Sequence, residues 1–211
     1  RYKVRLEVCA LIRLLYLRDP MLKGKFCTIP GILVYSRALM SSMIAAHGLE
    51  EAEKWATGLV SNLARRPQGN DRAQVKAIYE GQCDIAIINN YYFGKLKYSD
   101  KEDQRTWARS LNLVFPNQGE TDRGAHVNIS GGGVAKYSKN KDSAIKLLEF
   151  LTDEFAQNLY GEINFEYPVN PKVEATSELQ SWGSFKEDKL PILTIAKLSR
   201  EAQKIIDRVG W

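Results

Sequence analysis

The chain has 211 residues, 44% hydrophobic and 26% charged, with a formal net charge of +5. That balance excludes a disordered chain and allows one large core or two small ones. Lysine and arginine are interleaved with acids, as in "SDKEDQR" and "SREAQK", so the basic excess reads as a solvated surface and no nucleic-acid partner is expected.

The opening "RYKVRLEVCALIRLLYLRDP" is basic and then apolar, like a secretory signal. Arg13 interrupts the apolar run and no small-residue cleavage site follows, so it is read as structure. The missing initiator Met reads as a fragment or a processed chain. No run approaches the roughly 18 consecutive apolar residues of a membrane span.

"GKFCTI" then predicts a short strand. Leu39, Met40, Met43 and Ile44 recur on one helical face, and Gly48 supplies a stop. A second helix follows at once, with Ala52, Trp55, Ala56, Leu59 and Val60 inward and Glu50, Glu51, Glu53 and Lys54 outward. After the turn "ARRPQGND", Asn70 or Asp71 can cap a third helix that runs through Ala77 and Ile78 to Gly81. The run "DIAII" reads as a buried strand. A polar stretch (97–110), a strand "LNLVF" and the Gly-rich "HVNISGGGVAK" follow. Next comes a helix carrying Ile145, Leu148 and Leu151, and the tail "LPILTIAKLSREAQKIIDRVGW" reads as one long amphipathic helix. Strands alternating with helices imply right-handed crossovers and a parallel sheet, hence an α/β fold.

Three cysteines, Cys9, Cys27 and Cys83, are too few for a disulfide scaffold, and none has zinc-like spacing. Cys27 and Cys83 lie in matching contexts on two strands of the same sheet. A bridge closing about 55 residues and two free buried thiols are both open readings. "GGG" at 131–133 lacks phosphate-loop spacing and reads as a turn. His47 and His126 lack a nucleophile beside them, and the acids of 99–103 have no apolar surroundings to raise a pKa, so no enzyme is expected.

The phenols remain. Ligands of open α/β sheets gather beyond the carboxyl ends of strands, where helix N-termini point free N–H groups. Tyr91 and Tyr92 follow "DIAII" there, and Tyr35 follows "GKFCTI" at the start of a helix. A phenol keeps its proton at neutral pH until a strong cation displaces it. Fe³⁺, small and hard, prefers anionic oxygen, whereas zinc and copper would recruit the scarce His and Cys. Core or rim packing of adjacent aromatics is the alternative reading of these residues alone.

"GKFCTIPGILVYSRALMSSMIAAHG", "LARRPQGNDRAQVKAIYEGQCDIAIINNYYFGKL", "LVFPNQGETDRGAHVNISGGGVAK" and "FEYPVNP" together resemble the bacterial periplasmic ferric ion-binding proteins. These are the substrate-binding components of iron ABC importers. The similarity runs from about residue 18 to Trp211, and residues 1–17 do not take part. The resemblance implies a type II periplasmic-binding-protein fold, secretion to the periplasm by a signal peptide absent here, and a permease partner in the inner membrane. It implies that Tyr91 and Tyr92 are phenolate ligands to Fe³⁺ and, as in a tyrosine-rich subgroup, that Tyr35 is a third.

The same resemblance puts a synergistic anion such as carbonate near Gly31, Asn70, Arg72 and Asn89, with Pro30 in "TIPG" removing one N–H donor. It further implies that residues 1–116 and 176–211 form the ligand-tyrosine lobe and 117–175 part of the other. An N-terminal part of the first lobe would then be lacking, and a homodimer could cover the exposed wall. A solute-binding protein of the same fold for another anion or small organic ligand is the alternative function.

Overall fold

The computed structural model describes residues 13–211; the expectation of structure in residues 1–12, which include Cys9, lies outside the described residues. The framework is a parallel pair, β1 (Phe26–Cys27) beside β2 (Ile85–Ala86), in the register Phe26↔Ile85 and Cys27↔Ala86. The pairing is parallel, as expected, but only two residues of each predicted strand join the ladder. Leu63 adds a single parallel bridge to Phe26.

The connection between the strands carries α1 (Val34–Ser61) and α2 (Asp71–Tyr79). α1 is kinked at Gly48, whose φ of 80° and ψ of 168° break the helical path, so the two helices expected here are the two arms of one kinked element. A side chain at that φ would be strained, which is why glycine marks the joint. Asn70 is the cap of α2: its side chain accepts a hydrogen bond from the Ala73 N–H at 3.1 Å.

The main core lies between the two arms of α1 and the C-terminal helices α8 (Ile192–Lys197) and α9 (Ser199–Val209). Met40, Met43, Trp55 and Leu59 meet Ile205, Ile206 and Trp211, and each such burial contributes about 1.5–3 kcal/mol. Trp55 also donates its ring N–H to the Leu14 carbonyl at 2.6 Å, tying the first described segment to the core. The tail is two helices rather than one. Leu198 ends α8 and begins α9, its N–H turned back on Thr194 and Ile195 while its carbonyl accepts from Ala202.

Two further expectations differ. "LNLVF" is not a strand: Leu111 packs beside Val75 and Leu96, and Phe115 stacks on Phe185 at 4.2 Å, so side-chain packing replaces a ladder. The polar stretch contains a helix, α4 (Glu102–Arg109), whose Glu102 pairs with both Arg105 and Arg109 along one face. The helix expected around Ile145 is present as α5 (Lys141–Leu151), followed by α6 (Glu154–Leu159) and α7 (Ser177–Ser181).

The segments 117–125 and 186–188 run side by side. The Ala125 N–H donates to Lys186 and the Asp188 N–H to Ala125, both at 2.8 Å. Gly124, at φ 98°, allows this approach, because a Cβ there would strike the backbone of Glu187. Arg123 braces the crossing against α1, donating to the Ser42 carbonyl at 2.9 Å and lying 3.2 Å from the Asp188 carboxylate. His126 sits behind it with Nδ1 buried and unpartnered.

Cys27 and Cys83 are bonded, with Cα atoms 6.0 Å apart and a sequence separation of 56, so the bridged alternative is the one realised. Two outcomes follow. Reducing the bridge, or a Cys27→Ser/Cys83→Ser pair, lowers unfolding free energy by up to about 4 kcal/mol from loop closure. Equal denaturation midpoints with and without reductant contradict this.

The second outcome is a pH effect. Burial, then the neighbouring Arg123 charge, depresses the His126 pKa to about 4, against the opposing pull of Asp188. The unfolded chain takes up that proton first. The contribution is therefore complete above the ordinary histidine pKa near 6.5 and is lost as pH falls toward about 4. His126→Gln is expected to flatten the loss over that window relative to the parent; parallel stability–pH curves would contradict it.

Candidate metal centre

Each paired strand hands its chain directly to a helix. β1 ends at Cys27, a short loop follows, and α1 opens at Val34 with Tyr35 in its first turn. β2 ends at Ala86 and α3 (Asn90–Lys97) opens with Tyr91 and Tyr92 in its first turn. Because the strands are parallel, both helix N-termini emerge at the same edge. Neither N-cap residue, Leu33 or Asn89, caps its helix with a side chain, so this edge presents backbone N–H groups and the positive ends of two helix dipoles.

The three phenols meet there. The Tyr91 hydroxyl donates to the Tyr35 hydroxyl at 3.4 Å across 56 residues of sequence. The Tyr91 and Tyr92 rings lie 4.5 Å apart, tilted by 37°. Tyr35 is 39% exposed and the other two are half-buried, so the cluster is open to solvent on one side. Burial, and after it the hydrogen bond to Tyr35 and the neighbouring phenols, pushes the Tyr91 pKa well above the ordinary tyrosine value. Tyr91 therefore holds its proton at neutral pH, and a cation that takes its oxygen as a ligand must displace that proton.

Cations flank the rings. The Arg72 guanidinium lies 4.9 Å from the centre of the Tyr92 ring and the Lys95 ammonium 5.3 Å from that of Tyr91. Asn89 donates its backbone N–H and its side-chain amide to Asp71 Oδ1, at 2.7 and 3.0 Å, which leaves one amide hydrogen of Nδ2 for another acceptor. Burial raises the Asp71 pKa while the Asn89 hydrogen bonds oppose the rise.

Of the residues expected around an anion, Arg72 and Asn89 thus stand at the phenols, and two are held elsewhere. Asn70 accepts the α2 capping bond. The Gly31 N–H donates to the Trp211 carbonyl at 3.3 Å, and a Cβ there would press on Ile206 and Trp211. Lys95 and the Asp71 anchor were not singled out from the sequence. Lys95 follows Tyr91 by one helical turn, a signal that becomes readable only once α3 is known to be a helix. Among the described residues no group of three or more His, Cys, Asp and Glu could hold a metal ion, so phenolic oxygen is the donor class gathered here.

No family model matches the chain. It is 42% identical over 196 residues to iron uptake protein A2 of Synechocystis sp., which covers 92% of this chain and 56% of that protein. It is 30% identical over 169 residues to the major ferric iron-binding protein of Neisseria meningitidis serogroup B, covering 80% of this chain and 48% of that one. The chain spans about half the length of these curated relatives.

Among solved structures, a ferric binding protein from Campylobacter jejuni superposes with a TM-score of 0.93 at 36% identity, over 98% of this chain and 65% of its own. The Trichodesmium protein IdiA (FutA), in complex with iron and citrate, superposes at 0.90 and 44% identity, over 96% of this chain and 63% of its own. The fold is that of the ferric-binding, type II periplasmic binding proteins.

Proposed function

Since this chain is homologous to iron uptake and ferric iron-binding proteins over 92% of its length, we propose that it captures Fe³⁺ through the phenolates of Tyr35, Tyr91 and Tyr92. The observation that carries the reading is the meeting of the Tyr35 and Tyr91 hydroxyls at 3.4 Å, with the Tyr92 ring tilted against that of Tyr91. Three phenolates bring three negative charges to a trivalent, hard cation, and they do so at a solvent-open edge from which the ion can enter and leave.

A ferric ion takes about six ligands, so the remaining positions fall to an anion, to water or to other parts of the protein. Arg72, Lys95 and the first-turn N–H groups favour an anion, carbonate or a carboxylate such as citrate, with Asn89 at its side, while Gly31 and Asn70 are engaged with Trp211 and the α2 cap. The cargo then passes to the permease of an ABC importer in the inner membrane, and the binding step takes place in the periplasm. In this reading the lobe bearing the tyrosines is that of residues 1–116 and 176–211, of which 1–12 lie outside the described residues, and residues 117–175 belong to the facing lobe.

Competition with a chelator tests the ligand set. Tyr92→Phe removes one anionic oxygen and keeps the ring, so iron affinity is expected to fall by roughly a hundredfold or more, beyond the 10–100-fold typical of outer partners. Tyr35→Phe and Tyr91→Phe follow suit, while Tyr16→Phe and Tyr160→Phe leave affinity unchanged. Parent affinity in Tyr92→Phe would overturn the assignment.

The pH dependence has a fixed sign. Each coordinated phenol must lose its proton, and the raised Tyr91 pKa deepens that requirement, so affinity is expected to rise with pH and iron to be released as pH falls. An affinity that is flat or falls with rising pH across the neutral range contradicts phenolate ligation.

A further inference from the structure

Asp71 is the first residue of α2 and is only 3% exposed, although it carries a carboxylate. Burying such a charge is costly unless strong partners compensate, and here the compensation is specific. One oxygen, Oδ1, accepts both the backbone N–H and the side-chain amide of Asn89, at 2.7 and 3.0 Å. Asn89 is the N-cap residue of α3, the turn immediately before Tyr91 and Tyr92.

A two-point hydrogen bond to one residue fixes both the position and the rotation of that residue. The next residue along α2, Arg72, reaches over the Tyr92 ring. The stretch 70–72 thus caps α2, anchors α3 and places a cation on the second phenol. At its other face α3 is blocked: a Cβ on Gly94 would run into the Phe165 ring, so the helix cannot slide to recover a lost anchor.

Resting on the proposed iron site, we propose that Asp71 is a positioning residue for the phenol cluster: by clamping Asn89 it sets the rotation of the first turn of α3, and so aims the Tyr91 hydroxyl at Tyr35. Asp71 itself touches neither phenol in this role. What matters is the acceptor oxygen, so a neutral amide in the same place does the same work.

The test compares Asp71→Ala and Asp71→Asn with the parent by titration with ferric nitrilotriacetate, reading affinity and the visible phenolate-to-iron band, with crystal structures of the iron-free variants. Asp71→Ala is expected to weaken iron binding by about 10–100-fold, the range for outer partners, and to shift the band. It is also expected to move the Tyr35 and Tyr91 hydroxyls beyond hydrogen-bond reach, about 3.5 Å.

Asp71→Asn, whose Oδ1 can accept both bonds, restores affinity, band and separation to near the parent values. Ile205→Ala, a core truncation on α9 that leaves the Asp71–Asn89 hydrogen bonds intact, lowers thermal stability and leaves affinity and band unchanged, which separates positioning from general loosening.

Parent-like affinity and hydroxyl separation in Asp71→Ala would overturn the proposal, as would an Asp71→Asn variant as impaired as Asp71→Ala. A parent that takes up no iron would sink the iron reading instead. The hydroxyl separation in the iron-free Asp71→Ala protein would then still decide the role of Asp71.

Discussion

The centre depends on one constraint, the parallel pairing of two very short strands. β1 and β2 share two residue pairs, too few to hold a sheet by hydrogen bonds alone, and the Cys27–Cys83 bond closes the same junction covalently. The cysteines and the tyrosines Tyr35 and Tyr91 have the same sequence separation, 56 residues, so a parallel junction delivers both chains to their phenols in step. An antiparallel pair would send α1 and α3 out at opposite ends, and the hydroxyls could not meet. The intervening α1 and α2 form the crossover that parallel pairing demands, and the contact of α1 with α8 and α9 fixes that crossover to the main core.

Electrostatics at the shared edge are balanced between two demands. Without a cation Tyr91 stays protonated, because burial and the neighbouring phenols disfavour its charge. On the proposed ligand set a ferric ion reverses this, and three phenolates cancel its charge. Arg72 and Lys95 then leave the surroundings positive, which makes the edge receptive to an accompanying anion. The two uncapped helix N-termini act in the same sense. Gly31 supports this arrangement from below by letting the loop before Tyr35 lie directly on Ile206 and Trp211.

Much of this was legible in the residues. Helical spacing located the arms of α1, and Gly48 marked their joint; the matched contexts of Cys27 and Cys83 pointed to two strands of one sheet, of which Cys27 is in β1 but Cys83 lies two residues before β2, and the residues alone left a bridge and free thiols equally open. Strand length was not legible, since an apolar run such as "DIAII" records burial rather than ladder hydrogen bonds, and Ile87 and Ile88 pack without pairing. α4 was hidden because Trp107 and Ala108 are its only apolar residues, too few to display a helical period, and what seats it is their packing against Val75 and Leu96 from elsewhere in the chain. α3 was hidden because its apolar and aromatic residues adjoin the strand run and blur the boundary. That omission also concealed Lys95. Asp71 was read as a cap, but its buried partner lies 18 residues away, and no local pattern reports such a contact.

The central claim is that three phenols gathered at one sheet edge bind a ferric ion as phenolates. Titrating the metal-free protein with ferric nitrilotriacetate, while recording the visible spectrum and the bound-metal stoichiometry, tests it most directly. The prediction is a strong visible charge-transfer band that saturates at about one iron per chain, since a ferric ion needs all three phenolic oxygens of the cluster. A colourless protein, or iron bound without that band, would contradict it.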